Sequence, residues 1–213
     1  MKIGILGSGD VARSLGEGFV SAGDIVMLGS RDKKNAKIEA WVKNSSHGRS
    51  GGSFNDAAQF GEIIVLATLG TATEEAINLA GVANFDGKIV IDATNPLEFV
   101  DNRPCLVGGR GSSGGEKVQQ LLPKARIVKC FNTVGHALMY QPKFTQGKPD
   151  MFICGDDIAA KKTVAGICDR FGWGVVDCGG ISSSHYLEAM CLVWVLAGFQ
   201  DNHWHQAFRL LRQ

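Results

Sequence analysis

The stretch that decides the fold is ILGSGDVARSLGEGFVSAGDIVMLGSRDKK, residues 5–34. Its first residues complete the apolar run KIGIL (2–6), which is typical of a buried strand, and GSGDVA (7–12) follows with the pattern Gly-x-Gly-x-x-Ala. After a strand, Gly7 permits a tight turn, and Gly9 lets backbone amides and a helix N-terminus approach a pyrophosphate. Strand, turn and a helix over 11–21 together predict a dinucleotide-binding unit rather than a plain glycine-rich turn.

The second strand, DIVML (24–28), runs into a basic segment. NAD-binding proteins usually place an acid about 20 residues beyond the first glycine, where it binds the ribose 2′-hydroxyl. We take Asp24 as the only nearby acid, and it precedes the strand, so it lies at the wrong end. Ser30 and Arg31 stand at the right end instead. A guanidinium can grip a phosphate through two hydrogen bonds, so this ending predicts NADP rather than NAD.

Apolar runs and helical stretches alternate along the chain, which predicts an α/β fold with a doubly wound parallel Rossmann sheet. The predicted strands are KIGIL, DIVML, EIIVLA, KIVIDAT and RIVKCF, and the predicted helices cover 11–21, 33–43, 73–79 and 115–122. Two Gly- and Ser-rich segments, Asn44–Ser53 and Asn102–Glu116, are interpreted as loops; the second either covers the cleft or extends into solvent.

The pattern restarts after Pro142 with the run DMFICG, a helix over 159–171, the run GVVDCG and a terminal helix over 183–211. We therefore predict a Rossmann domain over residues 1–140 and a small α/β extension over 141–213. The apolar run Ala189–Phe199 is shorter than the roughly 20 residues that span a bilayer. We interpret it as part of a buried helix or a subunit contact, with no membrane span.

Composition restricts the partners. Lys and Arg number 22 against 21 Asp and Glu, so no overall field favours nucleic acid or an anionic membrane, and small molecules are expected. Six isolated cysteines and no expected secretory leader suit a reducing cytoplasm.

No metal site is predicted, because His203 and His205 are two apart on a predicted helix. A capping role explains His185 and Glu188, and Cys130 is interpreted as buried filler.

Ligands of open α/β sheets bind beyond the carboxyl edge of the strands. Thr68 and Leu69 follow one strand, and Thr94 and Asn95 follow the next, so both pairs are candidates to line the ribose and nicotinamide. Asn95-Pro96 is also a common turn former.

A dedicated proton donor is not evident. A carbonyl reductase needs one, whereas a flavin or deazaflavin acceptor carries its own electronics and needs mainly to be stacked. Hydride transfer to a planar acceptor is therefore the first hypothesis. A non-catalytic NADP(H) sensor is an alternative, as is a reductase of a small carbonyl or imine that uses His136 or Tyr140.

Several motifs together resemble a known family. They are the opening stretch from Gly4 to Arg31, IDATNP, GSSGGEKVQQLLPKARIVKCFNT, FICGDD and HQAFRLL. The chain is similar over nearly its whole length to the NADP-dependent reductases of the deazaflavin coenzyme F-420 and their bacterial relatives. It also resembles the cytoplasmic NADPH-binding domain of transmembrane metalloreductases, whose acceptor is a flavin.

The resemblance implies roles for individual residues. It assigns the phosphate turn to Gly7, Ser8, Gly9, Asp10 and Val11, and the 2′-phosphate grip to Ser30 and Arg31 with a further basic residue near Lys34. It assigns acceptor positioning to Asn132, Thr133, Val134 and Gly135. Archaeal members carry His where this chain has Asn132, so the acceptor stays open between coenzyme F-420 and a flavin such as FMN or FAD. A homodimer that associates through the apolar terminal helix is also implied.

Overall fold

A computed structural model describes residues 1–44, 47–101, 103–107 and 113–213. Its strands are β1 (Lys2–Leu6), β2 (Ile25–Ser30), β3 (Arg49–Ser53), β4 (Ile63–Leu66), β5 (Ile89–Asp92), β6 (Leu97–Val100), β7 (Arg103–Leu106), β8 (Arg126–Lys129), β9 (Asp150–Ile153) and β10 (Gly174–Asp177). Its α-helices are α1 (Asp10–Ser21), α2 (Ala36–Lys43), α3 (Phe54–Phe60), α4 (Thr73–Ala80), α5 (Gly114–Leu121), α6 (Ile158–Arg170) and α7 (Ser184–Asp201).

Six strands form one parallel sheet in the order β3-β2-β1-β4-β5-β8. The order runs in opposite directions from β1, so the crevice between β1 and β4 is the topological switch point at which such folds bind ligands. The predicted Rossmann fold is confirmed, and all five strands predicted for this sheet belong to it.

Except for the edge strand β3, the strands carry continuous apolar runs because both faces of the sheet are covered. On one face Ile3 and Ile5 pack with α1 and α6, and on the other Leu6 and Leu66 pack with α3 and α4. Alternate residues of β4 likewise belong to different clusters. Continuous apolar runs are the pattern expected for parallel strands of this kind.

The prediction of a loop over Asn44–Ser53 is wrong in its second half. Residues 49–53 form β3, the edge strand that pairs with β2 from Val26 to Ser30. Glycine is the residue that fits here: a Cβ on Gly51 would lie 2.3 Å from Ile38 Cγ2, and one on Gly52 would lie 2.9 Å from Asp56 Cβ. Close packing of α2 and α3 on the strand therefore explains a composition that resembles a loop.

The prediction of a loop over Asn102–Glu116 also needs correction. Residues 103–106 form β7, which pairs antiparallel with β6 in a separate hairpin, and α5 begins at Gly114 behind the capping box of Ser113 and Glu116. Strand-like pairing is decided by contact with Leu97–Val100, which the composition of 102–116 does not reveal. Residues 102 and 108–112 of this segment lie outside the described residues.

The C-terminal part adds the parallel pair β9 and β10, with α6 between them. One apolar cluster includes Ile3 and Val128 together with Met151 and Trp173, so it extends across the predicted boundary at residue 140. The predicted terminal helix is too long. It ends at Asp201, because Asn202 adopts the left-handed conformation with φ 47°, and residues 203–213 are not helical.

Candidate functional site

A cleft of about 800 Å³ lies along the carboxyl edge of the parallel sheet. We call the part formed by Gly7–Val11, Ser30 and Arg31 the turn end, and the part formed by Thr68, Leu69, Thr94 and Asn95 the far end. The structure thus brings together every predicted cofactor-binding residue except Lys34. The cleft is also lined by Asp32, Asn35, Phe54, Ala67, Gly70, Ala72, Glu75, Ala76, Ala93, Leu97, Phe99 and His136.

Gly7 and Gly9, the two glycines of the turn, are suited to their positions for different reasons. A Cβ on Gly7 would lie 2.4 Å from Ala67 O, and its φ of +149° is one that other residues rarely adopt, so the fold itself requires glycine. A Cβ on Gly9 would meet nothing within 4 Å, and its φ is an ordinary −75°. Gly9 is therefore dispensable for packing, and it leaves open the space through which a phosphate would approach the amides of the turn.

The N-terminus of α1 is open to an anion. Helices α2, α3, α5 and α6 are capped by the side chains of Asn35, Ser53, Ser113 and Asp157, whereas Gly9 provides no side-chain cap for α1. Unpaired N–H groups and the helix dipole make such an end a natural phosphate site. The acid in its first turn, Asp10, is paired with Arg13, which limits its repulsion of a phosphate.

Ser30 ends β2, Arg31 follows it, and both line the cleft. The Arg31 side chain is 73% exposed, and its Nη1 lies 3.9 Å from Glu75 Oε1, so the guanidinium is available to a ligand. The Ser30 hydroxyl donates to Asp32 O at 2.5 Å. Lys34 is exposed and does not line the cleft; its backbone N–H donates to Asp32 Oδ1 at 2.9 Å.

The prediction that Asp24 is the only nearby acid is wrong. Asp32 also lines the cleft, two residues past the end of the strand. Asp24 does precede β2, and it is buried and paired with the N-terminal amine (2.9 Å) and with Arg170 Nη2 (2.9 Å). Asn35, the N-cap of α2, donates from Nδ2 to Ser8 Oγ at 3.3 Å and connects that helix to the turn.

At the far end, the lining residues form hydrogen bonds with residues that lie behind the cleft. Thr94 donates from its N–H and its hydroxyl to Asp92 Oδ1, at 3.0 and 2.6 Å. Asn95 donates from Nδ2 to Asn132 O at 2.8 Å and accepts at Oδ1 from Asn132 Nδ2 at 3.0 Å. Thr68 lies 3.1 Å, oxygen to oxygen, from Thr73. Side-chain rotation at Thr94 and Asn95 is therefore restricted.

The segment after β8 turns sharply and lies behind the cleft. Phe131 adopts φ 62°, a conformation that costs a non-glycine residue about 1–3 kcal/mol, while its buried ring packs 5.7 Å from that of Phe171. Asn132, Thr133 and Val134 are buried and, with Gly135, do not line the cleft. Acceptor positioning by these four residues stays a prediction, and the contact of Asn132 with Asn95 offers an indirect route for it.

A fully buried lysine stands beneath the far end. Lys129 Nζ donates to Asp92 Oδ2 (2.8 Å) and Thr94 O (2.9 Å), and it forms an ion pair with Glu188 Oε1 at 2.9 Å. Burial lowers the pKa of Lys129, but the charges of Asp92 and Glu188 more than offset this, so the pKa is raised and the ammonium stays charged. We call Asp92, Lys129 and Glu188 the buried triad.

The second carboxylate of the triad is compensated by a helix. Glu188 accepts the backbone N–H groups of Gly114 and Gly115, both at 3.1 Å, at the start of α5. These amides supply partial positive charge where the triad carries one cation and two anions. The interpretation of His185 and Glu188 as a capping pair is therefore wrong for Glu188; His185 Nδ1 instead lies 2.5 Å from Ser182 O.

Two other predicted features have a clear place. His136 lines the cleft, and its Nδ1 lies 3.4 Å from Ser14 Oγ on α1. Cys130 is buried as predicted, with its Sγ 3.4 Å from that of Cys168, and burial raises the pKa of its thiol well above the ordinary value. A thiol of this kind is a poor nucleophile.

Sequence reasoning missed the buried triad and several lining residues. Lys129 and Asp92 interrupt apolar strands, and a charged residue in a predicted buried strand is a signal that a partner must exist. Asn35 directly precedes a helical stretch and could have been recognised as an N-cap. Leu97 and Phe99 gave no signal, because their strand exists only by pairing with β7.

Across the described residues, none of the helices combines the length and apolarity that crossing a bilayer demands. The family model described as "NADP oxidoreductase coenzyme F420-dependent" matches residues 2–96. The chain is 30% identical to the F420-dependent NADP reductase of Methanocaldococcus jannaschii over 206 residues, which cover 89% of each protein.

Two further comparisons agree with these. The chain is 32% identical over 204 residues to metalloreductase STEAP3 of Rattus norvegicus, and the match covers 90% of this chain but 36% of that longer protein. The crystal structure of a candidate F420-dependent NADP reductase from Arthrobacter sp. FB24 superposes with a TM-score of 0.93 at 30% identity, covering 100% of both chains.

Proposed function

The chain belongs to the family of coenzyme F420-dependent NADP oxidoreductases, and from that premise we propose that it transfers a hydride between NADP(H) and a planar acceptor, coenzyme F420 or a flavin. The observation that carries the proposal is the single continuous cleft. It has a turn suited to phosphate at one end and the apolar side chains of Leu97 and Phe99 beyond the other. When bound, the nicotinamide supplies the hydride.

The turn end would hold the phosphates. The amides after Gly7 and the open N-terminus of α1 suit a pyrophosphate, since Gly9 adds no side chain between them and the ligand. Arg31 is exposed at the end of β2, and its guanidinium would bind a 2′-phosphate with two hydrogen bonds. A dinucleotide held there runs along the sheet edge toward Thr94 and Asn95.

The far end would orient the two rings. Thr94 and Asn95 form a polar wall, and Phe99 on β6 is 59% exposed and offers an aromatic surface for a planar acceptor. Stacking of this kind needs orientation more than acid–base chemistry, and orientation alone contributes about 7–11 kcal/mol in favourable cases. Coenzyme F420 and flavins share the flat tricyclic shape that such a surface accepts.

Turnover with purified protein tests the proposal. NADPH is mixed with coenzyme F420, FMN or FAD in turn, and oxidation is followed by absorbance, with NADH as the matched donor control. We expect turnover with at least one acceptor and a preference for NADPH. Absence of turnover with all three would contradict hydride transfer; different affinities for NADP⁺ and NADPH without any turnover would indicate the sensor instead.

One observation favours a second candidate, a reductase of a small carbonyl or imine. Such an enzyme needs a proton donor in the cleft, and His136 lines it. Tyr140 does not, since its ring packs edge-on against that of Phe171 at 5.1 Å. Replacement of His136 by Gln separates the candidates: carbonyl reduction should collapse, whereas transfer to a planar acceptor should persist.

We also propose that the protein is a cytoplasmic homodimer that associates through one face of α7. Tyr186, Val193, Leu196 and Phe199 lie along that face and are 64, 57, 48 and 55% exposed. Apolar area of this kind is a common contact surface between subunits.

Light scattering tests the dimer. The expected mass is twice the 22.7 kDa of one chain, and the double variant Val193→Glu, Leu196→Glu should return it to the monomer. Ile158→Glu, on the 80% exposed first residue of α6, is the matched control and should leave the dimer intact. A monomeric wild-type protein would contradict the assignment.

A further inference from the structure

The burial of three charged side chains in the triad needs a physical reason. Moving charges out of water costs several kcal/mol per ion, and replacing a buried ion pair by apolar side chains is often neutral or stabilising. Fold stability alone is therefore a weak reason for Lys129, Asp92 and Glu188 to lie at the centre of this molecule, so what the triad contacts is the better guide to its role.

The triad holds every backbone polar group of Thr94 and its hydroxyl. Asp92 Oδ1 accepts the Thr94 N–H and Oγ1–H, and Lys129 donates to the Thr94 carbonyl at 2.9 Å. Thr94 is 3% exposed, yet it lines the cleft. One residue of the far end is thus held by three hydrogen bonds to two charged partners, which are stronger than bonds between neutral groups.

A second set of contacts connects Asn95 to α7, the helix that carries Glu188. Asn132 Nδ2 donates to Asn95 Oδ1 at 3.0 Å and to Leu187 O at 3.0 Å. Leu187 and Glu188 are neighbours on α7, so one turn of that helix supports both Thr94 and Asn95. The turn end has its own support in the glycine turn and β2, and none of the three triad residues lines the cleft there.

We propose that Asp92, Lys129 and Glu188 are positioning residues that hold Thr94 and Asn95 in the arrangement that receives the nicotinamide half of NADP(H). This inference rests on the proposed function only for the identity of the ligand. It predicts that a change in the triad weakens contacts to the nicotinamide half and leaves contacts to the 2′-phosphoadenosine half unchanged, because the two halves lie at opposite ends of the cleft.

Binding by calorimetry separates the two halves. NADPH carries both, whereas 2′,5′-ADP carries only the phosphoadenosine half. For Glu188→Gln, which keeps the shape and removes the charge, we expect NADPH affinity to fall by about 2- to 12-fold, the range of one lost hydrogen bond. The affinity for 2′,5′-ADP should change by less than about twofold, since no contact at the turn end is altered.

Asp24→Asn is the matched control. Asp24 is also a buried carboxylate with two cationic partners, but it lies before β2 at the opposite edge of the sheet. Both variants should lower the melting temperature, and only Glu188→Gln should change the ratio of the two affinities. An unchanged ratio, whether both affinities fall equally or neither changes, would overturn the proposal, because a merely structural role leaves the ratio unchanged.

A second measurement keeps the test valid if a triad variant does not fold. Asp92→Asn then replaces Glu188→Gln, and hydrogen exchange is followed in the wild-type protein without ligand. The Thr94 amide should exchange slowly, because Asp92 Oδ1 accepts it in a buried site; rapid exchange would show that the triad does not hold the wall.

The two proposals fail separately. An unchanged affinity ratio in a protein that turns over removes the positioning role alone. A changed ratio in a protein that reduces no acceptor keeps the positioning role and removes hydride transfer.

Discussion

The turn end of the cleft is formed by residues close together in the chain, whereas the far end depends on residues that are distant from one another. Gly7, Gly9 and Arg31 lie within 25 residues and need only β1, α1 and β2 to reach their places. Asp92 and Lys129 are 37 residues apart, and Gly114 and Glu188 are 74 apart. The residues of the turn end are therefore brought together by local structure, while the contacts behind the far end depend on the whole fold.

The difference also appears in burial. Arg31 is 73% exposed and lies 3.9 Å from Glu75, while Lys129 is completely buried between two carboxylates. Removing the Arg31 guanidinium should weaken ligand binding, whereas removing the Lys129 ammonium should lower the free energy of unfolding. The following substitutions test that contrast.

The largest effect is expected from Lys129→Met. It leaves Asp92 and Glu188 buried without their cation, and breaking a buried pair in this way costs about 3–5 kcal/mol of unfolding free energy. Urea denaturation measures it. Lys124→Met is the control: Lys124 pairs with Asp86 at 3.0 Å but is 74% exposed, so a loss below about 1 kcal/mol is expected. Similar losses in both variants would remove the distinction between the two regions.

Arg31→Ala should weaken NADPH binding by about 1.5–3 kcal/mol, the contribution of a charged hydrogen bond, and should leave NADH binding nearly unchanged. Unfolding free energy should stay within about 0.5 kcal/mol, as for other exposed positions. Asp32→Asn serves as the control, because it removes the neighbouring acid and should keep or increase the preference for NADPH. Equal loss of both dinucleotides in Arg31→Ala would mean that the 2′-phosphate binds elsewhere.

The two glycines of the turn should separate folding from binding. Gly7→Ala places a methyl group against Ala67 O and should cost about 1–3 kcal/mol of unfolding free energy. Gly9→Ala meets open space, so its stability should change by less than about 1 kcal/mol while NADPH binding weakens. Thermal melting and NADPH titration of both variants measure the contrast, and a Gly9→Ala protein with unaltered affinity would contradict it.

The smallest effect concerns Asp56, near the turn end. The Ser53 backbone N–H, with Lys33 2.9 Å away, lowers the pKa of Asp56 from 3.8 to about 2. Because the pKa is lower in the folded state, its contribution to stability is present above pH 3.8 and is lost as the pH falls toward 2. Wild-type melting temperature should fall across that window by more than in Asp56→Asn; parallel curves would exclude this contribution.

Much of the fold could be predicted because its signals are local. Except for β3, each strand of the parallel sheet carries an apolar run, and Gly7-x-Gly9 follows one of them directly, so periodicity and a short motif were sufficient. The segment Arg49–Ser53 was not predictable in this way. Its glycines are required by the approach of Ile38 and Asp56 from two helices, and composition alone cannot distinguish a crowded edge strand from a loop.

The end of α7 shows the same limit. Helical propensity continues past Asp201, but Asn202 turns back so that Gln206 can exchange hydrogen bonds with Trp194, with Trp194 Nε1 donating to Gln206 O at 2.9 Å and Gln206 Nε2 to Trp194 O at 2.7 Å. Packing between the returning segment and the helix stops the helix, and that contact exists only once both are folded.

The sequence by itself determined the α/β class, the glycine turn after β1 and the basic end of β2, because each depends on neighbouring residues and on backbone geometry. Only the tertiary structure decided that Lys129 meets Asp92 and Glu188, that Asn132 supports Asn95 instead of lining the cleft, and that Asp32 and His136 face it. A buried charge must find its partners wherever the fold brings them, and the order of the strands, not distance along the chain, sets which residues meet.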